Sequence, residues 1–242
     1  MNINKIKKLL AILKSSVFRK ALFKGAAAAT EHFSVLKNLG CDFVADVGAN
    51  RGQFALISRK LFPDACIHSF EPLDEPAKIF ESVFNTDNNI HLHRCAIGSE
   101  NTTMTIHVSE RDDSSSLLPI GHNQSELFPH TGESETRITL VKPLNNVIYV
   151  DDITKNSLLK IDVQGYELEV LKGCNTALNK FLYVYVECSF IELYEGQAFA
   201  SEVIDFLYKK YFVLVGVYNM CYDEEGKAIQ ADFLFKKLAA HS

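Results

Sequence analysis

Apolar runs alternate with amphipathic segments along most of the chain. The strand-like runs are FVADVG (43–48), CIHSFEP (66–72), NIHLHRCAIG (89–98), LLKIDVQG (158–165), LYVYVEC (182–188), YFVLVGVY (211–218) and ADFLFKK (231–237). Helix-like segments intervene at roughly 53–61, 75–84, 166–173 and 199–209. Short apolar runs followed by amphipathic segments predict βαβ units and a mainly parallel sheet. The last two runs are joined by NMCYDEEGKAIQ, short enough for a hairpin, which makes the final strand antiparallel. The expected fold class is α/β, a Rossmann-like doubly wound sheet. No repeat at a fixed period interrupts it.

Two stretches fall outside the alternation. Residues 1–40 read as an N-terminal helical extension to a domain spanning 41–242. Ile6, Leu10, Leu13 and Val17 recur at helical spacing, so one face is apolar. Lys5, Lys7, Lys8, Lys14, Arg19, Lys20 and Lys24 share residues 1–24 with no acid. A basic amphipathic helix can lie on an anionic membrane surface. The preferred reading is an outer helix that packs on the domain and solvates its basic side. The second stretch, at about 110–135, is rich in Ser, Gly, Pro and charge, and TMTIHVS and TRITLVKP flank it as extra strands. A long loop at that place is expected to border the binding crevice, where a lid closes.

Composition narrows the class. Among 242 residues, 47% are hydrophobic and 23% charged, which suits a cored globular protein. A net charge of −5 argues against a whole-surface nucleic-acid binder. Cys41, Cys66, Cys95, Cys174, Cys188 and Cys221 show no CxxC spacing and read as reduced core thiols. No apolar stretch is long enough to span a bilayer and no signal-peptide pattern opens the chain, so the expected location is cytoplasmic, with peripheral contact at the inner membrane face if residues 1–24 bind lipid.

The chemistry concentrates at strand ends. In an open α/β sheet, ligands bind beyond the carboxyl ends of the strands. Asp46 precedes the turn Gly48-Ala49-Asn50-Arg51-Gly52. Glycines there let backbone approach a ligand, and Asn50 tolerates an unusual turn conformation. The G-x-G-x-x-G of a dinucleotide site is absent. A carboxylate in the crevice repels phosphate and suits a cationic ligand, which favours the sulfonium and amino groups of S-adenosylmethionine over NAD. Glu71, followed by Pro72, ends the second strand about 20 residues on, where an acid accepts ribose hydroxyls. Cys95, Ala96 and Ile97 end the third run, where an adenine would be flanked.

The stretches DVGANRGQFA, FEPLDEPAKIF, CAIG, LLKIDVQGYELEVLKGC, VECSFIELYEGQAF and ADFLFKK resemble the FkbM family of S-adenosylmethionine-dependent methyltransferases. The resemblance runs from about residue 40 to 237, and D-V-x-G-x-E-x-x-V-L-K-G is its most specific part. It implies a class I methyltransferase fold and O-methylation of a hydroxyl on a sugar, polysaccharide precursor or other natural product. The chain departs from the family at Leu144-Asn145-Asn146, where Leu-Asp-Asp is usual.

Methyl transfer to an alcohol needs in-line approach and a base for the hydroxyl proton. Asp162 and Glu187, at neighbouring strand ends, are the catalytic candidates, and Asp162 is also a candidate for the cofactor's amino group. Glu167 reads either as a helper or as a first-turn carboxylate complementing the helix dipole. Tyr194 and Glu195 read either as sugar contacts or as loop solvation, and His122 and His130 as acceptor contacts within the lid. Ser114-Ser115-Ser116 reads as flexible loop. His68 reads as a packed strand residue. His91 and His93 share a strand face, but no third metal donor is evident and no required metal is expected. Three alternatives remain: a nicotinamide-dependent sugar-modifying enzyme, a non-catalytic S-adenosylmethionine-binding module, and a membrane-surface scaffold built on the basic helix. The acceptor and the oligomeric state are not legible.

Overall fold

The computed structural model describes residues 12–238. In chain order the helices are α1 (Ser16–Phe23), α2 (Phe33–Leu36), α3 (Gln53–Leu61), α4 (Asp74–Phe84), α5 (His122–Leu127), α6 (Glu167–Cys174) and α7 (Ala200–Lys209). The strands are β1 (Phe43–Val47), β2 (Cys66–Phe70), β3 (Ile90–His93), β4 (Ala96–Ile97), β5 (Thr102–Ser109), β6 (Glu133–Lys142), β7 (Ser157–Ile161), β8 (Tyr183–Ser189), β9 (Phe212–Tyr222) and β10 (Ala228–Lys237).

A seven-stranded sheet has the order β3-β2-β1-β7-β8-β10-β9. β1 pairs in parallel with β2 and β7, β7 with β8, and β2 with β3, whereas β10 is antiparallel to both β8 and β9. The doubly wound sheet with a late hairpin is therefore present. β1 and β7 are buried along their whole length, as central parallel strands covered on both faces should be. Their odd and even positions feed different cores. Phe43, Ala45, Val47, Leu159 and Ile161 pack with α6 and α7, while Val44, Leu158, Tyr185 and Leu234 pack with α3 and the N-terminal helices.

Three expectations change. The run 89–98 is two strands: β3 ends at His93, and β4 belongs to a second sheet of order β4-β6-β5. Arg94 sits at the break, and its ion pairs to Asp74 and Glu81 hold the chain at the surface. The 110–135 stretch is ordered, with a 3-10 turn at Asp112–Ser114 and α5 within it.

The third change concerns α1. Its buried residues are Phe18 and Ala21, joined by Ile12 just before it. Leu13 and Val17, expected on the inner face, are 50% and 58% exposed. Ile6 and Leu10 lie outside the described residues. α1 thus packs on the domain through a narrower stripe than the one read from spacing. Among the described residues, no helix is long and apolar enough to cross a membrane.

Candidate active site

A cavity of about 560 Å³, counting its mouth, opens at the carboxyl ends of β1, β2 and β7. The second sheet and the 110–117 segment form its far wall. Four carboxylates line it, from Glu71, Asp112, Asp113 and Asp162, with no lysine, arginine or histidine.

The β1 turn forms as predicted, for a different reason. Gly48, Asn50 and Gly52 all have positive φ, at 79°, 46° and 89°. A Cβ on Gly48 would overlap the backbone carbonyl of Asp162, and one on Gly52 would press into the rings of Phe80 and Phe84. These glycines let β1 meet β7 and let α3 meet α4. Gly48 and Asn50 also line the cavity; Ala49 and Gly52 lie outside its lining. Ala49 is buried, and its N–H donates to the Phe70 carbonyl.

Asp46 does not face the crevice. It is fully buried on the opposite side of β1, 3.3 Å from the Lys160 ammonium. The alternation of a strand forces this, since Asp46 shares its face with Val44. Lys160 donates to the Gly48 carbonyl (3.0 Å) and lies 3.6 Å from Asp162. Burial pulls its ammonium down, but the Asp46 and Asp162 carboxylates outweigh that and the net direction is upward. Lys160 therefore clamps the turn from below.

Glu71 is where the sequence puts it, lining the cavity beside Pro72. One carboxylate oxygen accepts the Asn50 N–H (2.8 Å) and the other the Leu73 N–H (2.7 Å). A carboxylate offers about four lone-pair sites, so two remain for hydroxyls. Burial pushes its carboxyl up to about 7, against those two backbone donors. Ala96 and Ile97 line the cavity, from the second sheet; Cys95 is buried outside the lining.

Asp162 follows β7, lines the cavity and is 36% exposed. Gln164, which sequence reasoning missed, ties it to Glu187. The Gln164 amide nitrogen donates to Asp162 (2.7 Å) and to Glu187 (3.0 Å). Gln164 has a φ of 58°, followed by Gly165 at 98°, so the D-V-Q-G turn holds a left-handed pair. Glu167, in the first turn of α6 as read, accepts the N–H groups of Val163 and Gly165, so its carboxylate also clamps this turn. Glu187 lies behind Gln164, outside the cavity lining, and also accepts from Gln230 at 3.0 Å. Burial, then the Asp162, Asp232 and Glu167 carboxylates, hold its carboxyl well above the usual range. The signals were present: a lone lysine inside the apolar run LLKID, and a glutamine between an acid and a glycine.

The 110–117 segment is pinned over this turn. Ser116 Oγ donates to the Gln164 carbonyl (2.6 Å), and the Ser115 hydroxyl accepts the Ser109 N–H. The serines are ordered hooks rather than flexible loop. Tyr194 is buried, with its hydroxyl 2.9 Å from the Ser114 carbonyl and 2.8 Å from Gln164 Oε1, so it ties the 110–117 segment to the turn; Glu195 is exposed. Arg51 pairs with Asp112 from outside the cavity at 2.7 Å. His122 and His130 are exposed and face Glu126 and Glu110, away from the cavity. Asn145 donates to Thr176 beyond the end of α6, and neither Asn145 nor Asn146 lines the cavity.

A family model described as the methyltransferase FkbM domain matches residues 46–214. The chain is 26% identical over 171 residues to "2-O-methyltransferase NoeI" of Sinorhizobium fredii, covering 68% of this chain and 70% of the relative. It is 25% identical over 146 residues to "Methyltransferase 1" of Beauveria bassiana, covering 54% of this chain and 57% of that relative's length. Among solved structures, precorrin-6y C5,15-methyltransferase of Geobacter metallireducens aligns with a TM-score of 0.45 at 10% identity, over 85% of this chain and 87% of that one.

Proposed function

This chain belongs to the FkbM family of S-adenosylmethionine-dependent methyltransferases, and we propose that it methylates a hydroxyl of a sugar, glycan or other natural-product acceptor. The observation that carries the reading is a cavity lined by four carboxylates and no cation, with one of those acids, Asp162, at the strand end. Arg51, Arg111 and Lys160 pair with Asp112, Asp113 and Asp162 from behind the wall, so no cation is left to face a pyrophosphate inside the cavity, which disfavours the nicotinamide alternative. The sulfonium and amino groups of S-adenosylmethionine suit them.

When bound, that cofactor supplies an electrophilic methyl group. Glu71 accepts the ribose hydroxyls through its free lone pairs, and Ala96 and Ile97 flank the adenine. Asp162 takes the acceptor's hydroxyl proton, a role worth roughly 10²–10⁴-fold. Glu187 acts through Gln164 as a positioning group, since it does not line the cavity. The lid pinned by Tyr194 and Ser116 excludes water from the reacting atoms. The non-catalytic alternative loses its motive, because Asn145 and Asn146 lie away from the cavity.

The test is release of S-adenosylhomocysteine with a panel of free sugars, oligosaccharides and amines, with mass spectrometry of each acceptor. Methyl gain on a hydroxyl acceptor is expected. Turnover confined to amines would overturn the reading. Peripheral membrane contact is part of the same proposal: Leu13, Val17 and Phe23 are exposed among Lys14, Lys20 and Lys24. Phe23→Ser should reduce pelleting with anionic vesicles at low salt, where charge is least screened. Equal pelleting of both proteins leaves α1 with a packing role only.

A further inference from the structure

The sequence shows His91 and His93 on one strand face without a third donor. The parallel register of β2 and β3 supplies it: Ile67 pairs with Ile90 and His68 with His91. Cys66 and His68 project from the same side of β2, two residues apart. The donor atoms of Cys66, His68 and His91 all lie within 4.8 Å of one another. Among the described residues, this is the one group of three or more His, Cys, Asp or Glu side chains with such geometry.

The orientation of His68 is specific. Its Nε2 faces the Cys66 sulfur at 3.5 Å, and its Nδ1 lies 2.9 Å from His93 Nε2. The ring stacks on Phe43 on one side and lies parallel to His93, which in turn stacks on Phe70. With Nδ1–H donating to His93, the Nε2 lone pair points at the place where Cys66 and His91 converge. A ligating histidine that gives its other N–H to a fixed acceptor is the usual arrangement around a metal.

We propose that Cys66, His68 and His91 form a binding site for a zinc-class divalent cation, with His93 as the residue that orients His68. One thiolate and two neutral imidazoles are the donor set that suits zinc. Tetrahedral zinc places such donors roughly 3.3–3.8 Å apart, so the group needs only small rotations to close on an ion. The site is independent of methyl transfer. Cys66 begins β2 and Glu71 follows its end, so the two are roughly 16 Å apart at about 3.3 Å per residue. Its effect is mechanical: the ion crosslinks β2 to the four-residue edge strand β3.

The experiment uses the full chain, dialysed against metal-free buffer, then titrated with Zn²⁺ and Co²⁺. One zinc per chain is expected, with a higher unfolding midpoint. Bound Co²⁺ should show tetrahedral visible bands and a near-ultraviolet thiolate charge-transfer band. Cys66→Ser should abolish the charge-transfer band while leaving S-adenosylhomocysteine release unchanged. His93→Gln should weaken Co²⁺ binding by about 10–100-fold, the range for an orienting partner. His91→Asn should weaken it more, and because His91 is exposed this variant keeps the test valid if Cys66→Ser fails to fold. A Co²⁺ spectrum like that of the hydrated ion in folded wild-type protein would overturn the proposal. So would a charge-transfer band unaltered by Cys66→Ser, or affinity unaltered by His91→Asn.

Discussion

The carboxyl edge of the sheet has two halves built on different principles. Around β1 and β2, the proposed site rests on backbone: glycine turns, strand-end carbonyls and one acid, Glu71, held by two N–H groups. Around β7, β8 and β10 it rests on side chains from separate strands, with Lys160, Asp162, Gln164, Glu187 and Gln230 linked across them. The first half is fixed by local geometry and should fail by unfolding or by losing the cofactor. The second is a network with alternative protonation states, and should fail by losing rate.

The largest expected effect breaks the backbone half. Gly48→Val must displace the Asp162 carbonyl while holding a positive φ, so a loss beyond about 4 kcal/mol is expected, beyond what most single substitutions cost. Denaturant unfolding checks it; a fold of wild-type stability would show that the turn has slack. Next comes the network half. Asp162→Asn should leave cofactor affinity near wild type and slow saturated turnover by roughly 10²–10⁴-fold. If affinity falls instead and turnover holds, Asp162 serves the cofactor's amino group and belongs to the first half.

Glu71→Ala is smaller and confined to binding. Loss of hydrogen bonds to a charged acceptor should weaken S-adenosylmethionine and S-adenosylhomocysteine alike, by about 1.5–3 kcal/mol in calorimetry. The same group sets a pH dependence. Its carboxyl is raised to about 7 by burial, so above that pH it is ionised and can accept both ribose hydroxyls. As pH falls through 7 it gains a proton and becomes in part a donor, so affinity should drop between pH 8 and pH 6. Glu71→Gln should flatten that slope; a slope that survives belongs to another group. The smallest effect is at the seam between the halves. Tyr194→Phe unpins the Ser114 carbonyl from Gln164 and should cost about 1 kcal/mol of stability. It should raise KM more than it lowers kcat, because the 110–117 segment closes less firmly while Gln164 keeps its bonds to Asp162 and Glu187.

What the sequence determined by itself was whatever depends on neighbours along the chain. Apolar runs and the amphipathic segments between them located the strands of the main sheet and its helices, and the glycine turn after β1 and Glu71 after β2 marked two strand ends that line the cavity. These signals are local because a strand end and the turn after it are one piece of chain. Tertiary structure decided the rest. Asp46 and Asp162 both follow apolar runs, yet β1 alternation buries one under the sheet while the end of β7 leaves the other facing the cavity. The run 89–98 reads as one strand, and only the competing second sheet divides it. Lys160, Gln164 and Gln230 acquire meaning only through partners on other strands, and Cys66 meets His91 only through the β2–β3 register. Side-chain networks of this kind are assembled by pairing between strands distant in sequence, which no window along the chain contains.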